Sequence, residues 1–464
     1  MNFKKINNVY LVGIGGIGMS ALARYFKMQG KFVAGYDKTP SFLTDQLQRD
    51  GIEIHFEDDV QLVPQPIISQ KENTIIIYTP AVPDYHHEFN YFIEREYWVM
   101  KRAEVLGKIF YKSKGIAVAG THGKTTTSTM LAHILYQSSF GCMAFLGGIS
   151  KNYNTNLLIS EKSDIVVAEA DEFDRSFLQL YPFLTIITSV DADHLDIYGS
   201  HEEVINSFNK FIKQIKEGGI LIYKKGLPLS LKLSKNIKIY NYSINDQADF
   251  YPENIKIEEG HYIYNAVTPT GKIHDIKLGV SGTMNLENSI AALAAATLLD
   301  VRPDEIITAL ASFDGVKRRF EYHIKTPKFV YIDDYAHHPE EIKACIQSIK
   351  SVFPGKKITG IFQPHLFTRT RDFAKDFAEN LSLLDELILL DIYPAREEPI
   401  PGITSEIIFK NVKIKNKIIC KKEELINVLK DYSPEILVTM GAGDIDRLVD
   451  EVVDYYKSVL KIEK

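Results

Sequence analysis

Ala119-Gly120-Thr121-His122-Gly123-Lys124-Thr125-Thr126-Thr127 follows the apolar run 116–119 and precedes a helix-like segment at 128–136. Read as strand, loop and helix, the segment puts glycines where the backbone must curl inward. Its N–H groups then face phosphate oxygens, and the helix dipole favours the anion. On this reading Gly120, Thr121, His122, Gly123, Lys124, Thr125 and Thr126 form a phosphate loop. Lys124 reaches the outer phosphates, and the Thr125 hydroxyl ligates the Mg2+ they carry. The match to G-x-x-x-x-G-K-[ST] is incomplete, because Val118 stands where the first glycine belongs.

The same alternation of short apolar runs and helix-length segments extends in both directions. Asn8–Val12, Thr74–Tyr78, and residues 164–168, 185–188, 329–332 and 436–439 are apolar on both faces. Strands of that kind belong to parallel sheets covered by helices, which predicts an α/β fold. Residues 236–280 alternate apolar and polar around a Thr270-Gly271 turn, predicting a small antiparallel hairpin. Breaks near 95–115 and 312–320 divide the chain into expected domains at 1–107, 108–314 and 315–464. A length of 464 residues suits about three domains.

Nearer the N-terminus, Gly13, Gly15, Gly16 and Gly18 fit G-x-G-x-x-G between a strand ending at Val12 and a helix from about Met19. Asp37 ends the next strand, near the spacing of a ribose-binding acid. This loop serves NAD or any other diphosphate. Two phosphate loops in one chain suggest two nucleotides, as in an ATP-driven enzyme acting on a nucleotide-linked substrate.

Two acidic clusters follow the phosphate loop. Glu169-Ala170-Asp171-Glu172-Phe173-Asp174 ends the 164–168 strand, where α/β sheets bind ligands and where a magnesium carboxylate is needed. A solvated acidic turn is the competing reading. Asp191-Ala192-Asp193-His194-Leu195-Asp196 follows the next strand, and His194 is a candidate ligand for a second divalent ion or a solvated loop histidine. Basic and amide groups ending the strands of the third segment suit oxyanions.

Lys and Arg total 54 against 60 Asp and Glu, a formal charge of −6, and 45% of residues are hydrophobic. That balance gives no basic excess to suggest nucleic acid as the main partner and excludes wholesale disorder. Three separated cysteines, Cys142, Cys345 and Cys420, form no disulfide framework, which fits a reducing compartment. With neither a signal-peptide pattern nor a membrane-length apolar run, the expectation is a cytoplasmic protein without membrane contact.

Taken in order, these residues resemble the Mur ligase family over nearly the whole chain. The family-wide features are the 120–126 loop, Glu169 and Asp193-His194. Residues 13–20, 169–172, 191–199, 317–320 and 333–339 are similar to its alanine-adding branch. The resemblance implies an N-terminal Rossmann-like domain for the UDP part of the substrate, a central P-loop ATPase-type sheet, and a C-terminal Rossmann-like domain. It implies ATP-dependent ligation of L-alanine to the carboxylate of UDP-N-acetylmuramate through an acyl phosphate, in peptidoglycan precursor synthesis, by a monomer or weak homodimer. ATP and Mg2+ are the implied cofactors. Lys124, Thr125 and Glu169 would serve ATP and magnesium, Glu169 shared by two ions and His194 on the second. Asn285 and Asn288 fall in the adenine-contacting segment. Arg319 and Asp334 would complete the ATP site, and His338, His365 and Arg369 would lie near the amino acid and the uridine-linked substrate. His338 or a nearby carboxylate is expected to take the amine proton.

Met284, Ser189 and Leu366 depart from the family pattern. Three alternatives stand beside this reading: a ligase recycling a tripeptide onto UDP-N-acetylmuramate, an NAD-dependent oxidoreductase, and a nucleotide-regulated binding protein. The Gly15-Gly16-Ile17-Gly18 stretch argues against the first, and hydride transfer would leave the Lys124 loop without a task.

Overall fold

A computed structural model describes residues 3–461 except Lys235 and Arg396. The architecture is α/β, as expected. Strands β1 (Asn8–Val12), β2 (Phe32–Tyr36), β3 (Glu53–His55), β4 (Thr74–Tyr78) and β5 (Trp98–Lys101) form a parallel sheet in the order β3-β2-β1-β4-β5. Every residue of β1 is buried, because helices cover both sheet faces.

The second sheet contains β6 (Lys114–Ala119), β7 (Met143–Ser150), β8 (Thr155–Leu158), β9 (Ile165–Ala170), β10 (Leu184–Ile187), β11 (Ile220–Lys224) and β12 (Lys238–Tyr242). Their order is β12-β11-β10-β6-β9-β7-β8, and β8 is antiparallel to β7. The expected hairpin is a three-stranded sheet of β13 (Tyr251–Glu258), β14 (His261–Thr268) and β15 (Gly271–Lys277). Glu259-Gly260, both at positive φ, make the additional turn.

The last sheet joins β16 (Glu321–Lys325), β17 (Val330–Asp334), β18 (Ile358–Phe362), β19 (Glu386–Leu390), β20 (Asn416–Cys420) and β21 (Ile436–Met440) in the order β16-β17-β21-β18-β19-β20. Only β16 runs antiparallel to its neighbour. By compactness the chain forms two units. One comprises Met1–Asn254, Tyr264–Ile276 and Asn288–Asp314; the other comprises Ile255–Ile263, Lys277–Glu287 and Gly315–Lys464.

Two helices start earlier than periodicity suggests. The helix at Lys124–Gln137 begins directly after Gly123, whose φ of 79° ends the loop in the left-handed region that glycine adopts without strain. The first helix, Ile17–Met28, begins at Ile17 because extended Gly16 caps it. Among the described residues no helix is long and apolar enough to cross a membrane.

Candidate active site

Strand β6 lies between β9 and β10, with Ala119 level with Ala170 on one side and Ile187 on the other. The phosphate loop and both acidic clusters therefore leave one sheet edge side by side, though the clusters lie about 45 and 70 residues along the chain from the loop. The register turns three separate sequence signals into one site.

Side chains from the neighbouring loop fix the phosphate loop. The His122 N–H donates to Ser189 Oγ at 2.7 Å, Thr121 Oγ1 lies 2.8 Å from the same oxygen, and Asp191 N donates to Thr121 Oγ1 at 3.0 Å. Gly120 has a φ of 137°, and a Cβ there would overlap the Thr188 hydroxyl. Asn288 closes the other end, its Oδ1 accepting from Thr127 Oγ1 at 3.1 Å. Ser189, noted in the sequence only as a departure, is thus part of the loop's scaffold.

Lys124 Nζ donates to Gly120 O at 2.6 Å and to Glu172 Oε1 at 2.8 Å. Glu172 is buried. Burial would lower the pKa of Lys124, but Glu172, Glu169 and Asp171 outweigh it and hold the ammonium protonated above its ordinary range. Burial pushes the Glu172 carboxyl up to about 7 against the opposing pull of Lys124. Tyr198 anchors the backbone there, its hydroxyl donating to Glu172 O at 2.7 Å. His194 Nε2 lies 3.9 Å from Glu172 Oε1 and 3.8 Å from Asp193 Oδ2, which places it at the same edge.

Thr125 Oγ1 donates to Glu169 Oε2 at 2.8 Å. These are two hard oxygen donors beside the phosphate loop. Among the described residues no group of three or more His, Cys, Asp or Glu is arranged to hold a metal by itself. Mg2+ commonly takes one or two protein ligands and fills the remaining positions with phosphate oxygens and water, so the pair suits it.

The carboxylate of Glu169 occupies space left by Gly147 on β7, where a Cβ would overlap Oε2. Gly147→Ala is expected to displace Glu169 and cost about 1–3 kcal/mol through overpacking. A thermal melt combined with a Mg2+ titration of activity checks this; a fully active variant with unchanged Mg2+ dependence would refute it.

The N-terminal loop is also built as expected, though Asp37 acts inward. Gly15 N donates to Asp37 Oδ2 at 2.7 Å, and Thr39 N to Oδ1 at 3.2 Å, so the acid fastens the loop it was expected to complement. Gly13, at φ 86°, has no room for a Cβ against Thr79, and Gly16 and Gly18 begin the helix.

In the second unit, Asn285 Nδ2 donates to Ser281 O at 2.7 Å. Asp334 accepts from Phe320 N at 2.7 Å and Ala336 N at 2.8 Å, and burial raises its pKa to about 6. Arg319 lies over the Tyr335 ring at 5.0 Å and 3.9 Å from Glu341. His338 caps the Pro339–Val352 helix and meets the Phe373 ring edge-on. His365 stacks on Tyr393 at 5.8 Å, and Arg369 lies in the short Phe367–Asp372 helix. Asn285, Arg319, Asp334, His338, His365 and Arg369 thus belong to this unit. The nucleotide loops, Glu169, His194 and Asn288 belong to the other.

Sequence reasoning passed over Gly147 and Arg102, and took Tyr198 only as part of the 191–199 stretch. No local pattern conveys what they do, because each acts on a residue distant in the chain.

Family profiles match three stretches: the Mur ligase family catalytic domain over residues 8–114, the Mur ligase middle domain over 118–296, and the Mur ligase glutamate ligase domain over 318–443. The chain is 54% identical over 452 residues to a UDP-N-acetylmuramate–L-alanine ligase of Parabacteroides distasonis, covering 97% of this chain and 98% of that one. Its fold matches a crystal structure of UDP-N-acetylmuramate–alanine ligase from Thermotoga maritima with TM-score 0.82 and 28% identity, covering 97% and 99% of the two chains. A MurF ligase from Thermotoga maritima solved in complex with ADP shares the fold with TM-score 0.62 and 20% identity, covering 85% and 92%.

Proposed function

The chain belongs to the Mur ligase family, and on that premise we propose how its own residues perform the reaction. It is an ATP-dependent ligase that joins L-alanine to the carboxylate of UDP-N-acetylmuramate in peptidoglycan precursor synthesis. The observation that carries the site assignment is the convergence of Lys124, Thr125, Glu169 and Glu172 on one edge of the β6 sheet.

A carboxylate oxygen is a poor leaving group, so amide formation needs activation. The γ-phosphoryl group of ATP passes to the carboxylate of the acceptor acid, giving an acyl phosphate and ADP. The unprotonated amine of alanine then attacks the acyl carbon and phosphate departs. Gly120 and Gly123 let the loop amides surround the phosphates, and Lys124 places its positive charge where the equatorial oxygens gather charge. To do so its ammonium leaves Glu172, whose carboxyl, already pushed up by burial, loses the opposing pull of Lys124 and can take up a proton. Thr125 and Glu169 would hold Mg2+, with His194 near a second ion. When bound, the metal supplies charge neutralisation to the phosphoryl group.

In the C-terminal part, Arg319 and Asp334 are the residues assigned to ATP. His338, His365 and Arg369 serve the amino acid and the uridine-linked substrate. His338 or a nearby carboxylate takes the amine proton. Asn285 and Asn288 lie along adenine. Residues 13–18 with Asp37 form the UDP cradle. The corresponding domains are 1–107, 108–314 and 315–464.

Phosphate release from ATP is expected only when UDP-N-acetylmuramate and L-alanine are both present for sustained turnover. Omitting each component in turn tests this. Release independent of the sugar nucleotide, or sustained by a tripeptide and not by alanine, would overturn the reading.

A further inference from the structure

Between the N-terminal glycine loop and the Glu169 edge lies a cavity of about 90 Å3. Its polar lining is Arg102, Glu169 and Asp171, and its apolar lining includes Leu22 and Phe145. Arg102 directly follows β5 and opens the Arg102–Tyr111 helix, so it sits at the strand-end edge where such sheets place ligands. Its Nη2 donates to Asp171 Oδ2 at 3.4 Å, and its side chain is 22% exposed. The guanidinium also packs on Gly18, where a Cβ would come within 2.5 Å of Nη1. Gly18 therefore matters beyond the conformation of the glycine loop: its missing side chain makes room for the guanidinium.

The acceptor acid must bring its carboxylate beside the γ-phosphate, at the edge marked by Thr125 and Glu169. An anion approaching there meets the carboxyl groups of Glu169 and Asp171. Arg102 is the cationic side chain lining this cavity. Its planar fork carries five N–H donors and matches a carboxylate two at a time, while Asp171 holds it in place beforehand. The apolar lining suits the methyl-bearing carbon next to that carboxylate. The diphosphate of the same substrate has another partner, the backbone of residues 13–18.

Resting on the ligase reading above, we infer that Arg102 binds and orients the lactyl carboxylate of the sugar nucleotide for phosphorylation, while the glycine loop holds its diphosphate.

The test compares two ligands that differ in that carboxylate: UDP-N-acetylmuramate and UDP-N-acetylglucosamine, the same sugar nucleotide without the lactyl acid. Calorimetric titrations use the full chain and its Arg102→Gln variant, with thermal melts to verify folding. Arg102→Gln is expected to weaken UDP-N-acetylmuramate roughly 10- to 100-fold, the loss of a charged hydrogen-bonded contact, and to leave UDP-N-acetylglucosamine unchanged. Arg102→Lys, which keeps the positive charge but not the planar fork, is expected to be selective in the same direction and serves if Arg102→Gln fails to fold. Equal weakening of both ligands would assign Arg102 to the diphosphate and overturn the inference, as would no weakening of either. If the wild-type chain turns over with alanine yet the Arg102 variants show no such selectivity, only the role of Arg102 falls. If the wild-type chain binds no UDP-N-acetylmuramate, the ligase reading falls with it.

Discussion

Lys124→Met is expected to lower ligation by roughly 1,000-fold or more while UDP-N-acetylmuramate still binds. The magnitude follows from losing a cation aimed at a phosphoryl group in flight. The side chain is held in place from the outset by Gly120 O and Glu172, so the wild-type site needs little reorganisation beyond releasing the ammonium. Stability is a separate matter. Removing one partner of a buried ion pair costs about 3–5 kcal/mol when the other charge persists. Burial raises Glu172 even with Lys124 beside it, and losing that opposing pull raises it further, which favours the neutral carboxyl and makes the cost smaller. Adding Glu172→Gln to Lys124→Met is therefore expected to leave the melting temperature close to that of the single variant, with ligation still lost. Turnover retained in Lys124→Met would remove the loop from the mechanism.

Glu169→Gln is expected to lower kcat by roughly 100- to 1,000-fold, comparable to deleting one preorganised electrostatic contact. Glutamine keeps the volume and can still accept the 2.8 Å hydrogen bond from the Thr125 hydroxyl, so the strand end should remain folded. What it removes is the negative charge that a divalent ion requires. The activity lost is expected to return in part at higher Mg2+, with the half-saturating concentration shifted upward, and metal-free ADP binding should stay at the wild-type level. An unchanged Mg2+ titration would show that Glu169 is not a metal ligand. Gly147→Ala acts on the same carboxylate sterically, so the two variants should shift the Mg2+ titration in the same direction.

The strand runs and the glycine, lysine and threonine of the phosphate loop were legible because each is local. Period, turn chemistry and spacing are properties of a few consecutive residues. Elements missed or misplaced depended on partners. The additional strand of the small sheet needed its neighbours, and the helix at Lys124–Gln137 began early because Gly123 terminates the loop in a conformation that composition does not display. Asp37 was legible as an acid at the right spacing, yet its hydrogen bond to Gly15 N shows a fastening role that spacing does not convey.

By itself, the sequence determined the α/β class, the two glycine loops and the acidic clusters that follow the strands, since these depend on backbone freedom, hydrophobic period and charge along a short stretch. Only the tertiary structure decided that Lys124 meets Glu172, that Gly147 makes room for Glu169, and that Arg102 faces the cavity beside Gly18. Those contacts arise from the parallel register, which sets residues far apart in the chain on one sheet edge, and from steric exclusion between side chains that no local pattern encodes.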